Sequence, residues 1–195
     1  MGLERTLPIV PWDKYFLNIA AVVATRSSCS RRQVGAVIAK DNHLLATGYN
    51  GTPSGIKNCN EGGCPRCAGN APSGTSLNEC ICSHAEENAI VQAARHGVTI
   101  EGGTIYCTIS PCIHCAKMII NAGLKKVFFS NWYNEPVVSL DPVPEGFATL
   151  EDPIIYKYRL KYEADVATNL LLMAHVQVHH FDEILEKNGV QVWEN

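Results

Sequence analysis

The chain has 195 residues, of which 46% are hydrophobic and 18% charged, and its formal net charge is −3. This composition is typical of one soluble domain with a sizeable apolar core. It excludes the overall basic charge of a protein that binds long nucleic acids, and no apolar run is long enough to cross a membrane.

Apolar periodicity and turn residues predict the N-terminal part of the fold. Trp12–Arg26 has the spacing of an amphipathic helix. Val34–Ala39 and Leu44–Tyr49 are β-prone runs, and Asp41-Asn42 between them favours a hairpin turn. The glycine-rich segment Asn50–Gly55 then predicts a tight loop.

Residues 56–82 are rich in cysteine and poor in apolar periodicity, which predicts a loop that a metal ion stabilises. The nine cysteines accompany no secretory pattern, so we expect reduced thiols in the cytoplasm. Cys107 is expected in the core. The sequence leaves open which four thiols hold a structural zinc ion; the candidates are Cys29, Cys59, Cys64, Cys67, Cys80 and Cys82.

Two further helices begin at possible metal ligands. One is predicted over Ala85–His96 and ends at Gly97; the other is predicted over Cys112–Ala122, begins with Pro111 at its first turn and ends at Gly123. A β-branched run between them, Gly103–Ile109, predicts a strand. A metal ion would therefore lie between two helix N-termini, where partial positive charge favours thiolates.

His84, Cys112 and Cys115 supply one nitrogen and two sulfurs, which fits a catalytic zinc ion with a fourth position for water. Zinc lowers the pKa of bound water from about 15.7 towards about 7. Glu86 lies too close to His84 in sequence to need a ligand role, and we expect it to carry protons from that water to a ring nitrogen and a leaving amine. The pattern H-x-E followed by P-C-x-x-C matches a known signature of zinc nucleobase deaminases.

The C-terminal part is predicted less regularly. Lys126–Ser130 indicates a strand, Ile154–Val178 a helix within an insertion at 134–178, Phe181–Asn188 a last helix and Val190–Trp193 a last strand. The predicted fold is a single α/β domain over residues 1–195: a three-layer α/β/α sandwich whose mixed five-stranded sheet carries helices on both faces.

Four stretches, taken in order, resemble the deoxycytidylate (dCMP) deaminase family of the cytidine deaminase superfamily. They are Arg26–Val37, Gly48–Pro53, His84–Ile90 and Ser110–Cys115. The resemblance implies a cytidine deaminase-like fold, zinc on His84, Cys112 and Cys115, and a proton shuttle at Glu86. The family often passes directly from the strand at 126–130 to its last helix, so the insertion at 134–178 departs from the pattern.

The resemblance also implies substrate contacts. Asn50 matches an asparagine that contacts the sugar, although a turn role is the alternative. The Ala85 backbone N–H and the Ser110 carbonyl are expected at the base edge, and Tyr133 matches an aromatic residue near the base or, alternatively, packs in the core. A monophosphate needs cationic partners, for which the candidates are Arg26, Arg31 and Arg32; the alternative is a solvated basic turn.

Family members are typically hexamers that dCTP activates and dTTP inhibits, at a site that involves the glycine-rich loop; here Asn50 and Gly51 are the candidates, with Mg²⁺ accompanying a triphosphate. Some relatives hold a second zinc with residues that match Cys29, Cys59 and the position of Cys82. The function implied is conversion of dCMP to dUMP for thymidylate supply. The alternatives are a deaminase for tRNA adenosine, free cytidine or a riboflavin-pathway pyrimidine, or a non-catalytic nucleotide-binding module.

Overall fold

The structure, a computed structural model, describes residues 9–69, 71–72, 75–132 and 166–181. The strands are β1 (Gly35–Lys40), β2 (His43–Tyr49), β3 (Thr104–Cys107), β4 (Lys126–Phe129) and β5 (Gln177–His180). The α-helices are α1 (Trp12–Ala24), α2 (Pro65–Ala68), α3 (Ala85–Arg95), α4 (Ile113–Asn121) and α5 (Val166–Met173), and short 3₁₀ turns cover Cys59–Glu61 and Leu77–Glu79.

The described strands form one five-stranded sheet in the order β2-β1-β3-β4-β5. β1 is antiparallel to both β2 and β3, whereas β3, β4 and β5 run parallel to one another. The predicted mixed sheet is therefore confirmed. Asp41 and Asn42 close the predicted hairpin with φ of 50° and 63°, the left-handed pair that a two-residue hairpin turn requires.

Alternate residues of the central strands face two different cores. Val37, Tyr106 and Phe128 pack with α1, whereas Ile38, Ile105 and Phe129 pack with α3, α4 and α5. Successive side chains of a strand point to opposite faces, so helices cover both sides of the sheet. Cys107 is fully buried in the larger core, as predicted.

Two glycines let helices approach the hairpin on its two faces. A Cβ at Gly35 would lie 2.1 Å from the Ala20 carbonyl oxygen of α1. A Cβ at Gly48 would lie 2.2 Å from the Ala85 carbonyl oxygen and 2.3 Å from the Ala89 nitrogen of α3. Their missing side chains therefore set how closely α1 and α3 pack on the hairpin.

The helix predicted over Ile154–Val178 is partly wrong. Its described part stays helical only to Met173, and Gln177–His180 forms β5 along β4. His175, at φ 58°, ends the helix, and the Val176 N–H bonds to the Leu171 carbonyl. The predicted strand Val190–Trp193, and all of the predicted helix Phe181–Asn188 except Phe181, lie outside the described residues. The single-domain division remains a prediction.

Within the described residues, no helix combines the length and apolar character that crossing a membrane requires.

Candidate active site

His84 and Cys112 are the N-caps of α3 and α4. Their backbones are extended, with ψ of 161° at His84 and 172° at Cys112, so each residue lies at the point where the chain turns into its helix. The Glu87 carboxylate accepts the His84 N–H at 2.8 Å and holds the start of α3. Pro111 was predicted inside the first turn of α4; it instead precedes the cap, because Cys112 takes the extended cap position.

The three predicted ligands converge. His84 Nδ1 lies 3.3 Å from Cys112 Sγ and 3.4 Å from Cys115 Sγ. The ligand atoms of all three residues lie within 4.8 Å of one another. One nitrogen and two sulfurs at this spacing form the donor set of a catalytic zinc centre, which leaves one tetrahedral position to a non-protein ligand.

The electrostatics of this triad favour a bound cation. The hydrogen bond from Cys115 lowers the pKa of Cys112 to about 3, and the same contact raises the pKa of Cys115 far above its usual value. Contact with Cys112 raises the pKa of His84 to about 9. Two adjacent thiolates repel each other, so a divalent ion allows both to ionise. The residues therefore fit zinc.

Glu86 lies in the first turn of α3 and is 4% exposed. Burial raises its pKa to about 7. Its carboxylate is not part of the group formed by His84 and the two cysteines. A buried carboxyl group that titrates near neutrality suits a proton carrier better than a ligand.

The triad opens into a cleft of about 600 Å³, a size typical of small-ligand sites. The lining includes the metal triad's His84 and Cys112, and also Glu86. Other predicted site residues that line the cleft are Asn50, Ala85, Ser110, Arg31 and Arg32. Arg26, predicted to bind substrate, is not among the described lining residues; it is exposed after α1, two residues beyond Ala24. Tyr133 lies outside the described residues.

The Asn50 side chain is a structural clamp. Its Oδ1 accepts the Val34 N–H at 2.8 Å and the Ser27 hydroxyl at 2.7 Å, and its Nδ2 donates to the Arg32 carbonyl at 2.8 Å. The side chain therefore joins Asn50 to another segment of the chain, which is a structural role different from the turn role considered from sequence. An amide nitrogen carries two hydrogens, so one remains for a ligand, and the predicted sugar contact stays a prediction.

A cation that sequence reasoning missed, Arg66, also lines the cleft. Its Nε donates to the Thr75 carbonyl at 2.9 Å. Arg31 in turn donates to the carbonyls of Arg66, Gly69 and Ala71, at 3.1, 3.3 and 2.8 Å. One sequence signal could have indicated Arg66 as a cleft residue. It lies between Cys64 and Cys67, in a predicted metal loop that ends just before His84 in the sequence.

The six thiols of the candidate pool also lie together. Five of the six sulfurs form two compact groups, in each of which all the atoms lie within 4.8 Å of one another. One group is Cys29, Cys59 and Cys67; the other is Cys59, Cys64 and Cys82. Cys80 lies beside the second group, since its Sγ is 4.0 Å from Cys64 Sγ.

Comparison with known proteins agrees with this geometry. Residues 10–131, more than half of the chain, match the family model of the cytidine and deoxycytidylate deaminase zinc-binding region. The chain belongs to this deaminase family.

Individual relatives of this deaminase family are similar in sequence and in structure. The deoxycytidylate deaminase of Schizosaccharomyces pombe is 46% identical over 123 residues, or 63% of this chain and 38% of that protein. The deoxycytidylate deaminase of Mycobacterium phage D29 is 40% identical over 60% of this chain and 93% of its own length. The match thus spans about two fifths of the fungal protein and nearly all of the phage protein.

Among solved structures, the dCMP deaminase of cyanophage S-TIM5 in complex with dCMP and dUMP is 29% identical, with a TM-score of 0.60. The superposition covers 86% of this chain and 95% of the phage chain. The cytidine deaminase-like fold predicted from sequence is therefore confirmed.

Proposed function

We propose that the protein is a zinc-dependent deaminase that hydrolyses dCMP to dUMP and ammonia. The observation that carries the proposal is the His84, Cys112 and Cys115 group beside a buried Glu86, in a cleft that three arginines line. Family membership supports the reaction type, and relatives named deoxycytidylate deaminase support the substrate.

The protein's own residues account for binding and proton movement. A zinc ion held by His84, Cys112 and Cys115 supplies the Lewis acidity that makes water nucleophilic near neutral pH. The Glu86 carboxylate moves two protons: it takes one from the attacking water and gives it to the ring nitrogen, and it then takes the proton of the hydroxyl that the water has added to the ring and gives it to the leaving amine. The Ala85 N–H and the Ser110 carbonyl are assigned to the base edge, and both residues line the cleft.

The cationic lining supports the proposed preference for a monophosphate. Arg31, Arg32 and Arg66 contribute guanidinium groups to the cleft, and arginine is well suited to phosphate because its planar fork donates two parallel hydrogen bonds. Arg66 extends the set predicted from sequence; Arg26 does not line the described cleft, and its contact with the substrate stays a prediction. Tyr133 is retained as a predicted aromatic contact of the base.

Several finer features belong to the same proposal. They are a structural zinc on the cysteine loop, activation by dCTP and inhibition by dTTP with Mg²⁺, a homohexamer, and dUMP supply for thymidylate in the cytoplasm.

The proposed regulation has a physical basis, because Gly51 exchanges two backbone hydrogen bonds with Ser83, at 3.2 and 2.9 Å. The candidate effector loop, Asn50 and Gly51, is thereby joined to the residue before His84. All nine cysteines are free thiols, which fits a reducing compartment.

Ammonia release by the full chain, measured with dCMP, CMP, dCTP and deoxycytidine, tests the function. We expect dCMP to have the highest kcat/KM, and Glu86→Gln to lower kcat by about 10²- to 10⁴-fold because the proton carrier is lost. Glu87→Gln is the matched control, since a glutamine also caps α3. Undiminished release by Glu86→Gln contradicts the mechanism, and dCMP kinetics that stay hyperbolic and unchanged by dCTP contradict the regulation.

A further inference from the structure

Five of the six candidate thiols outside the catalytic triad form two groups that share one member, Cys59, and the sixth, Cys80, lies beside Cys64. Cys29 and Cys67 complete one group, and Cys64 and Cys82 complete the other. Thiolates around one tetrahedral zinc ion, at a Zn–S distance of about 2.3 Å, lie about 3.8 Å apart. The 4.0 Å between Cys64 and Cys80 is close to this spacing.

The backbone brings these thiols together independently of any metal. Cys64 is the N-cap of α2 and Cys67 lies within that helix, so the two face one point. The Asn60 N–H donates to the Ser28 carbonyl at 3.0 Å, which joins the loop that carries Cys59 to the loop that carries Cys29. Gly63 is packed so closely that a Cβ there would lie 1.7 Å from the Lys57 carbonyl oxygen.

We propose that this six-cysteine cluster binds two divalent metal ions of the zinc class, bridged by the Cys59 thiolate. A single four-coordinate ion would use only four of the six thiols and leave two without a metal to bind. Cys29 also shares a group with neither Cys64 nor Cys82, so one ion does not account for both groups. Two four-coordinate ions can use six thiolates when two of the thiolates bridge. The shared position of Cys59, which is 3% exposed, makes it one of these bridges.

The charge around the cluster fits two ions. Six thiolates with two divalent ions carry a net charge of about −2. Four of the six cysteines line the cleft, and Arg31 and Arg66 line it too. Arg31 binds three carbonyls of the loop that follows Cys64. The cluster thus fixes the loop that presents Arg66 to the cleft, next to the segment that leads to His84.

This inference extends the single structural zinc of the proposed function, and its test reads metal content rather than activity. The full chain is purified under reducing conditions, and its tightly bound zinc is measured by elemental analysis together with native mass spectrometry. We expect three zinc ions per chain in the wild type and two in His84→Ala, because the catalytic site is separate. Two ions in the wild type and one in His84→Ala would overturn the second ion while leaving the deaminase proposal intact.

The bridging role of the Cys59 thiolate is tested on the wild-type chain, so the result does not depend on whether a variant folds. In protein loaded with an NMR-active cadmium isotope, we expect two resonances with all-sulfur chemical shifts that split each other through the bridging sulfur. A single all-sulfur resonance, or two without mutual splitting, contradicts the bridge. Cys59→Ala is expected to lose both ions, whereas Cys107→Ala, a buried cysteine outside the cluster, keeps all three.

Discussion

At the scale of single residues, Glu86 lies in a buried position where the ionised carboxylate is less stable than it is in water. It is 4% exposed, and burial raises its pKa to about 7 from an ordinary value of 4.5. Between these two values the folded protein binds more protons than the unfolded chain. The contribution of Glu86 to stability is therefore full below the ordinary value and is lost as the pH rises through about 7. The residue that we assign to proton transfer thus weakens the fold at neutral pH.

Replacing Glu86 by glutamine removes the loss of stability that burial of the ionised carboxylate causes. In a His84→Ala background, where no catalytic ion offsets the carboxylate charge, we expect Glu86→Gln to raise the free energy of unfolding increasingly with pH. The gain should grow by about 2 kcal/mol between about pH 5.5 and about pH 8. Urea denaturation at both pH values measures it. Glu87→Gln in the same background should show no such growth, and a gain for Glu86→Gln that does not depend on pH contradicts the assignment.

Residue types, spacing and the family resemblance were enough to predict the metal triad and part of the cleft lining, but not all of that lining. His84, Cys112 and Cys115 converge because each lies at a helix start, which the sequence indicates locally. Arg66 could not be assigned in this way, since its place in the lining depends on the fold of the cysteine loop. Arg26 was predicted as one of three cations for the phosphate; it is exposed beyond the end of α1, and its contact with the substrate stays a prediction.

At the scale of elements, α3 packs directly on the hairpin formed by β1 and β2. Gly48 permits this contact, because a Cβ there would lie 2.2 and 2.3 Å from backbone atoms of Ala85 and Ala89. Both atoms belong to α3, whose cap residue is His84. The packing of one glycine is therefore linked to the position of a metal ligand.

We expect Gly48→Ala to displace α3 and to lower the free energy of unfolding by about 3 kcal/mol or more. The new Cβ would clash with backbone atoms, which cannot move aside as the end of a flexible side chain can. The displacement of His84 should also weaken zinc binding at the catalytic site. Gly51→Ala is the control, because its Cβ would meet only the Ser28 Oγ at 3.4 Å. Chemical denaturation and zinc competition with a chelator measure both effects; equal behaviour of the two variants would show that Gly48 does not set the packing.

Element types were predictable wherever the signals were local. The helices that carry the ligands, the hairpin and the two central strands follow from periodicity, glycine stops and turn residues. The end of α5 did not follow, because the apolar residues before and after His175 read equally well as one continuous helix. The edge of β4, distant in sequence, takes Gln177–His180 as a strand instead.

At the scale of the whole molecule, the site lies where the carboxyl ends of parallel strands meet. The segments after β3 and β4 are joined by the Ser110 N–H, which donates to the Asn131 carbonyl at 2.8 Å. Cys112 follows two residues after Ser110 and caps α4. Ligand sites of α/β sheets are common at this edge, because the loops there are positioned by several strands at once.

The core of the molecule extends beyond the residues that match the deaminase family model. That match ends at residue 131, yet α5 and β5 complete the face of the sheet that carries α3 and α4. Leu171 of α5 is 1% exposed and belongs to the same core as Ile119 of α4 and Val127 of β4. We therefore expect the part of the chain from 166 to 181 to be required for a closed core.

Leu171→Ala tests this requirement against a control on the same helix. Deleting a buried leucine leaves a cavity, so we expect a loss of about 2–5 kcal/mol in the free energy of unfolding. Met173→Ala, at a residue that is 51% exposed, should change it by no more than about 0.5 kcal/mol. Circular dichroism during urea denaturation measures the difference, and zinc content checks that the metal sites are retained. Equal stability of the two variants would show that α5 does not belong to the cooperative core on which the catalytic helices pack.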